Sequence, residues 1–182
     1  MRVIFILTCL ILISKTANSQ KYFTKSGAIE FEASVPSFEE VNATNKTVTA
    51  IMNVETGELA ALALVKAFRF KIALMEEHFN ENYAESSKFP KTTLKGVIQN
   101  FKLNELTKNR KQFYIEGEIS FHGKTKKVLI ESYISLDNSQ IIISSEFILN
   151  PEDFDIELAK VVRNKVADEV IVSTNFIMAL KK

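Results

Sequence analysis

Alternation of apolar and polar residues with a period of two runs through much of the chain. Ile29 to Val35 has an apolar residue at every second position, and Val48 to Val54 repeats the pattern. Because successive side chains of a β-strand point to opposite faces, each segment is predicted to be a half-buried strand. Leu59 to Val65 is apolar on both faces, so a strand there is either covered on both sides or forms the wall of a cavity.

The second half of the chain contains the clearest hairpin. Phe113 to Phe121 alternates, His122-Gly123 is typical of a tight turn, and Lys127 to Ser135 follows as the returning strand. We therefore predict an antiparallel pair. Two further strands are predicted, Ile141 to Leu149 after the turn Asp137-Asn138-Ser139, and Val170 to Leu180 at the end of the chain.

Helices are predicted only as short insertions. Leu74, Met75, His78 and Phe79 have helical spacing, and Asn80 and Asn82 are expected to end that helix, in a connection between strands near Phe70 and Thr92. The strand after Thr92 is expected to continue through Phe101 to Leu103. A second helix is predicted between Phe154 and Ala167, beginning at Asn150-Pro151, with the apolar stripe Leu158, Val161, Val162 and Val166.

Many strands joined by short turns indicate an all-β protein, either an antiparallel barrel or a sandwich. The inward faces would mix the 14 phenylalanines with small residues such as Ala33, Ala50, Ala60, Gly117 and Ser145. Such a mixture packs a solid core well, and it equally lines a tunnel. Periodicity alone therefore leaves a filled core and a ligand cavity both open.

The N-terminus has the pattern of a secretory signal peptide. Arg2 is followed by an apolar run from Val3 to Ile13, and Ala17-Asn18-Ser19 is a cleavage site before Gln20. The run is too short to span a bilayer as a helix, which needs about 20 residues. We therefore predict a signal peptide at residues 1–19, a single domain at residues 20–182, and a mature protein in the periplasm or secreted.

Cleavage at this site changes the charge and the chemistry of the chain. It removes Arg2, Lys15 and the single cysteine, Cys9, which leaves 21 basic against 22 acidic residues and no thiol. A near-neutral chain gives no electrostatic footprint for nucleic acid or for an anionic membrane. A mature chain without cysteine has no disulfide and no thiol nucleophile.

Candidate chemistry centres on His78, which lies between Glu77 and Glu81. The HExxH zinc motif and the GxSxG serine-hydrolase motif are both absent, and the second histidine, His122, is in the predicted hairpin turn. A hydrolase or metal enzyme built on His78 is therefore the weakest hypothesis, and we predict no catalytic residues and no metal site. The favoured interpretation is that His78, Asn80, Asn82 and Tyr83 satisfy the backbone of a long connection that crosses the barrel.

The segment Leu74–Gly96, LMEEHFNENYAESSKFPKTTLKG, closely resembles the signature LMxEHFNENYxESxKFPKxxxKG of the YceI-like family of secreted bacterial lipid-binding proteins. We call it the signature segment. It departs from the family at Ala84, often a larger apolar residue, and at Ser87, often acidic. The matching residues are His78, Phe79, Asn80, Glu81, Asn82, Tyr83, Glu85, Ser86, Lys88, Phe89, Pro90, Lys91, Lys95 and Gly96.

This resemblance implies an antiparallel eight-stranded lipocalin-like barrel that holds an isoprenoid lipid, a quinone or polyprenyl chain, without catalysis or another cofactor. No membrane span is predicted, because the apolar run is too short for one, and homodimer formation is left open. His78, Asn80, Asn82 and Tyr83 would order the connection or meet the polar head of the lipid. The alternative is a barrel with a filled core that acts through its surface as an envelope stress or structural protein. The predicted ligand-binding residues are Phe31, Phe70, Met75, Phe79, Phe113, Ile115, Gly117, Ile119 and Phe147.

Overall fold

Antiparallel β-strands account for most of residues 20–181, the part of the chain that our computed structural model describes. The predicted signal peptide lies outside the described residues. The only α-helix in this range is α1 (Ala73–His78). The strands are β1 (Lys21–Ser34), β2 (Asn42–Asn53), β3 (Glu58–Leu64), β4 (Arg69–Phe70), β5 (Lys91–Ile98), β6 (Lys111–Phe121), β7 (Lys124–Asp137), β8 (Gln140–Leu149) and β9 (Val166–Leu180).

Eight of these strands close into a barrel, which confirms the predicted fold class. The sheet order is β1-β9-β8-β7-β6-β5-β3-β2, and pairing of β1 with β2 completes the ring. Closure pairs each of the eight strands with a neighbour on both sides over part of its length, although β7 pairs with β8 only from Ser132 to Asp137. The two-residue strand β4 pairs with the start of β2, beside Ala43 and Thr44.

The up-and-down connectivity gives the barrel two different ends. At one end, which we call the open end, lie the connections at residues 35–41, 65–90, 122–123 and 150–165. At the other, which we call the closed end, lie the connections at residues 54–57, 99–110 and 138–139.

The closed end is filled by a conventional hydrophobic core. Large inward-facing side chains from the strands meet Leu106 of the 99–110 connection, and the rings of Phe101 and Phe113 lie 5.9 Å apart between centroids. Close packing of this kind is how barrel interiors of eight strands are usually occupied. The buried side chains at this end include Tyr22, Met52, Val54, Ile98, Phe113, Ile115, Ile134, Ile141 and Met178.

The predicted turns at His122-Gly123 and Asn138-Ser139 are both present, and each closes a hairpin. His122 and Gly123 have φ of 47° and 75°, and Asn138 and Ser139 have φ of 48° and 63°. Two successive residues with positive φ form a type I′ turn, whose twist matches that of the flanking strands. The β6–β7 and β7–β8 hairpins follow directly from these turns.

The predicted helix between Phe154 and Ala167 is wrong. Asn150-Pro151 does start a helical turn, but it is a 3₁₀ turn that ends at Phe154, since Asp155 takes a left-handed backbone with φ of 54°. One further turn forms where the amides of Val162 and Arg163 donate to the carbonyl of Ala159. Strand β9 then begins four residues earlier than predicted, at Val166, because pairing with β1 extends it.

Two local predictions around the signature segment also need correction. Asn80 and Asn82 do not end the helix, because the chain continues from α1 into a π-helical turn at Phe79–Tyr83. Strand β5 ends at Ile98, and it does not reach Phe101 to Leu103. The predicted strands near Phe70 and Thr92 are both present, although the first has only two residues.

Candidate ligand cavity

An apolar cavity of about 510 Å³ occupies the barrel interior toward the open end. Its walls come from the strand halves nearest that end and from three connections, at residues 35–41, 65–90 and 150–165. Pockets of roughly 300 to 1,000 Å³ lined mainly by apolar and aromatic side chains are typical small-molecule sites. The barrel is therefore filled at one end and hollow at the other.

Four phenylalanines form one wall of this cavity. Phe79 lies 5.4 Å from Phe31 and 5.2 Å from Phe70, measured between ring centroids, and Phe68 lies 5.4 Å from Phe31. Tilted and edge-on contacts at these distances are favourable beyond the burial of area alone. The rings join β1 to the signature segment, so this cluster fixes the segment against the barrel.

The π-helical turn aims the aromatic side chains of the signature segment at the cavity. The amide of Ala84 donates to the carbonyl of Phe79 at 2.8 Å, a hydrogen bond that closes the wider turn. Asn80 donates its side-chain amide to the carbonyl of Glu76 at 2.8 Å, and Ser86 donates both its amide and its hydroxyl to the carbonyl of Asn80. Phe79 and Tyr83 consequently both line the cavity.

Six of the nine residues predicted to bind ligand line this cavity. They are Phe31, Phe70, Met75, Phe79, Ile119 and Phe147. Phe113 and Ile115 do face inward, but they are buried in the filled core at the closed end. Alternation predicts the face of a strand on which a residue lies, and it carries no information about height along the barrel.

Gly117 does not line the cavity either, and a side chain there would not enter it. Gly117 pairs with Gly96 where β6 and β5 approach closely. A Cβ atom at residue 117 would lie 2.2 Å from the carbonyl oxygen of Lys95 and 2.6 Å from the Cα of Gly96. The prediction that Gly117 provides space for a ligand therefore needs correction, since it provides space for a neighbouring backbone.

The four polar residues predicted for the connection divide into two pairs. His78 and Tyr83 line the cavity, whereas Asn80 and Asn82 do not. His78 is exposed at the rim, and its imidazole forms no hydrogen bond with any residue in the described range, so it does not satisfy the backbone as expected. Asn80 alone has the predicted role, through its bond to Glu76.

The histidine that organises the open end is His122, which sequence analysis placed only in a turn. Its Nδ1 lies 2.8 Å from the carbonyl oxygen of Phe154, and its Nε2 lies 2.7 Å from a carboxylate oxygen of Glu85. Both partners are oxygen atoms that accept hydrogen bonds, and each ring nitrogen faces one of them. The ring also packs edge-on against Phe89, with centroids 4.7 Å apart.

Through these contacts, His122 ties three connections together at the open end. Glu85 and Phe89 belong to the signature segment, and Phe154 precedes the irregular segment that completes the cavity wall. Lys124 adds an ion pair to Asp155 at 2.5 Å, and Lys126 pairs with Asp153. The hydrogen bond from His122 also lowers the pKa of the Glu85 carboxyl group below its usual value.

Replacing His122 with alanine is expected to lower the free energy of unfolding by about 1 to 2 kcal/mol. The substitution removes two hydrogen bonds and leaves the carbonyl of Phe154 without its partner. His78→Ala is the matched control, because His78 is exposed and its loss should leave stability unchanged. Urea unfolding of the two variants and the parent measures the difference. Equal stability of the two variants would contradict the role of His122.

The free energy of unfolding of the parent and that of His122→Ala should depend differently on pH. Because the folded protein holds the pKa of Glu85 below its ordinary value, this carboxylate stabilises the fold above about pH 4.5, and the contribution disappears as the pH falls through the lowered pKa. The stability difference between parent and His122→Ala should therefore shrink in acid. A difference that stayed constant from neutral to acidic pH would argue against the Glu85 contact.

Within residues 20–181, no group of three histidine, cysteine, aspartate or glutamate side chains converges to hold a metal ion. No helix in this range is both long and apolar enough to cross a membrane.

The closed antiparallel barrel, filled at one end and hollow at the other, places the protein in the class of lipocalin-like β-barrels. The family model for the YceI-like domain matches residues 17–178, and the chain belongs to this family. A search of curated proteins finds no significant sequence match.

Solved structures share this fold at low sequence identity. A polyisoprenoid binding domain from Saccharophagus degradans, implicated in plant cell wall breakdown, is 11% identical, with a TM-score of 0.75 over 90% of this chain and 99% of that chain. BcnA from Burkholderia cenocepacia is 12% identical, with a TM-score of 0.68 over 84% and 96%. The YceI protein of Campylobacter jejuni is 12% identical, with a TM-score of 0.61 over 81% and 89%.

Proposed function

We propose that the protein binds an isoprenoid lipid, such as a polyprenyl chain or a quinone tail, in the cavity, without catalysis and without another cofactor. The observation that carries this proposal is the cavity at the open end of the barrel, which is lined mainly by apolar and aromatic side chains. A barrel with a filled core that acts through its surface would not contain a cavity of this volume. Apolar chains gain free energy in proportion to the area that they remove from water, so this cavity suits a hydrocarbon.

The distribution of polar groups orients the ligand. His78, Tyr83 and Lys165 belong to the connections at the open end, whereas Ile119, Val172 and Phe176 come from the strands. A lipid would therefore enter with its hydrocarbon tail toward the strands. Its polar head would remain near the rim, within reach of the imidazole of His78 and the hydroxyl group of Tyr83.

Two further observations support binding over chemistry. The S. degradans relative of the same fold is described as a polyisoprenoid binding domain. In this chain, the cavity-lining histidine, His78, has no hydrogen-bonded carboxylate among the described residues, whereas catalytic histidines are oriented by such a partner. His122 has that partner, but its second nitrogen is occupied by the carbonyl of Phe154.

The same proposal includes export. The charged and apolar pattern of residues 1–19 and the site Ala17-Asn18-Ser19 support cleavage before Gln20 and a location in the periplasm or outside the cell. The domain would then be residues 20–182.

Organic extraction of the protein purified from its native compartment, followed by mass spectrometry, tests the function. We expect a co-purifying isoprenoid lipid, and Edman sequencing of the same sample should begin at Gln20. The matched control is the variant Ala63→Leu, purified in the same way, because Ala63 lines the cavity and a leucine there would occupy part of its volume. An extract without lipid, or with equal lipid in parent and control, would refute binding in this cavity, and a retained residue 1 would refute export.

A further inference from the structure

We propose that the floor of the cavity holds a second polar subsite, which binds an oxygen atom at the buried end of the ligand. The subsite consists of the side chains of Ser132, Ser145 and Thr174, which we call the floor hydroxyls. The inference rests on the proposed function and deepens it, because it gives the chemical class of the ligand. That class is an isoprenoid chain with an oxygen, in a hydroxyl or carbonyl group, at each end.

The floor hydroxyls lie side by side on three adjacent strands. The register pairs Ser132 of β7 with Ser145 of β8, and it pairs Ser145 with Thr174 of β9. All three side chains face the barrel interior, and the residues are 0%, 8% and 8% exposed. On each strand the next inward residues on both sides are apolar, so the row interrupts three apolar faces at one level. These neighbours are Ile130, Ile134, Ile143, Phe147, Val172 and Phe176.

The hydrogen bonding of these groups is incomplete within the protein. The hydroxyl oxygens of Ser132 and Ser145 lie 2.7 Å apart, so one of them donates to the other. The second proton of this pair has no acceptor among the described residues. Thr174 forms no side-chain hydrogen bond within the same part of the chain, and its oxygen atom is not fully enclosed by protein. Because buried polar groups are normally hydrogen-bonded, the Thr174 hydroxyl calls for a partner in the cavity.

Thr174 is the deepest polar residue of the cavity wall in the described range. It lines the cavity between Val172 and Phe176 of the same strand. The other polar lining residues come from connections at the open end or from the first residues of β5, and the cavity wall is therefore polar at the rim, apolar along its length and polar again at the floor. These other residues are Glu39, His78, Tyr83, Thr92, Thr93, Asn150 and Lys165.

The distance between the two polar ends sets the length of the ligand. Thr174 follows eight residues after Val166, the first residue of β9 at the open end. A strand advances about 3.3 Å per residue and barrel strands tilt by about 40°, so the floor lies roughly 20 Å below the rim. Phe147 and Val172 line the wall just above the floor. An apolar chain of this length with an oxygen at each end would match the whole profile, whereas a hydrocarbon end would leave Thr174 unpaired.

A purely structural role explains the Thr174 hydroxyl less well. A threonine that serves the sheet bonds to a neighbour, as Thr92 does when its hydroxyl donates to the carbonyl of Ser120 at 3.1 Å. Thr174 has no such neighbour among the described residues. Valine has the same shape and would fill the position without the cost of burying a hydroxyl group. A contact with a ligand accounts for the hydroxyl.

Thr174→Val tests the subsite, because it removes the hydroxyl and keeps the shape of the side chain. Thr92→Val is the matched control, since Thr92 also lines the cavity but lies near the open end and already has a protein partner. Parent and variants are delipidated and titrated with geranylgeraniol, which has one hydroxyl group, and with its ω-hydroxylated derivative, which has one at each end. Thermal unfolding over a series of ligand concentrations gives each dissociation constant.

We expect the parent to bind the ω-hydroxylated ligand about fivefold more tightly than geranylgeraniol, which is the usual effect of one hydrogen bond. Thr174→Val should lose this preference, and Thr92→Val should keep it. Without ligand, the unfolding midpoint of Thr174→Val should be no lower than that of the parent, because the lost hydroxyl has no partner in the described part of the protein. A clearly lower midpoint without ligand would assign the hydroxyl to the fold and overturn the proposal.

The two ligands also separate this proposal from the proposed function. If the parent and Thr174→Val both bind the two ligands equally, the floor hydroxyls meet only water, and this proposal is overturned while the proposed function stands. If Thr174→Val weakens geranylgeraniol as much as its derivative, the single hydroxyl lies at the floor, and the requirement for an oxygen at each end is overturned. If neither ligand stabilises the parent, the proposed function fails and this proposal fails with it.

Discussion

Gly117→Ala is expected to lower the free energy of unfolding by about 3 kcal/mol, the upper end of the usual cost of overpacking and a large loss for a single methyl group. A Cβ atom at residue 117 would lie 2.2 Å from the carbonyl oxygen of Lys95, and this contact is with backbone. No rotamer change relieves it, so β5 and β6 must separate where Gly96 and Gly117 pair. Chemical denaturation of parent and variant measures the loss.

Gly27→Ala is the matched control. A Cβ atom at residue 27 would approach the ring of Phe176 at 2.7 Å, but this neighbour is a side chain that lines the hollow half of the barrel. The ring can shift into the cavity, so the destabilisation should be clearly smaller than for Gly117→Ala. Equal losses in the two variants, or a tolerated Gly117→Ala, would show that the approach of β5 and β6 is not rigid.

These glycines illustrate what the sequence could reveal about the fold. The period-two alternation correctly predicted the strands from Phe113 to Phe121 and from Ile141 to Leu149, and the turn residues His122-Gly123 correctly predicted the hairpin between β6 and β7. The presence of a strand and the burial of one of its faces are local properties, so the residues of each segment predict them. The close approach of Gly117 to the backbone of Lys95 depends on how β5 and β6 pair, which the pattern of either segment alone does not predict.

The candidate site was predictable to the extent that it depends on strand faces and on the signature segment. Phe31 and Phe79 were found from alternation and family resemblance, and both line the cavity. Phe113 and Ile115 carry the same alternation, yet they lie at the closed end. Height along the barrel follows from the register of all eight strands together, so it could not be deduced from any one of them.

The parts that sequence reasoning missed are tertiary in origin. The stripe of Leu158 and Val162 has helical spacing, but both side chains reach the cavity from a largely irregular segment. His122 was recognised only as a turn residue, because its partners Glu85 and Phe154 are 37 and 32 positions away. No local pattern signalled this role, because histidine is among the residues enriched at positive φ and therefore fits a turn without any further partner.

Ala63→Leu is expected to abolish most of the stabilisation that an isoprenoid ligand gives to the protein. Ala63 is a small residue of β3 that lines the cavity, so a leucine there would occupy volume that the ligand needs. Ligand at a concentration of about 100 times its dissociation constant should stabilise the parent by about 2.7 kcal/mol, and the variant far less. Thermal unfolding of both proteins, first delipidated and then reloaded with a polyprenyl quinone, measures this difference.

The control for this experiment is Ala50→Leu, an equally conservative enlargement on the neighbouring strand. Ala50 is buried but does not line the cavity, so the added atoms should overpack the core and destabilise the protein by about 1 to 3 kcal/mol without ligand. Ala63→Leu should cost much less without ligand, because its side chain extends into empty volume. One contradicting result would be that Ala63→Leu is destabilised as strongly as Ala50→Leu and that the quinone fails to stabilise the parent. The open end of the barrel would then be a packed core, and the lipid-binding proposal would be refuted.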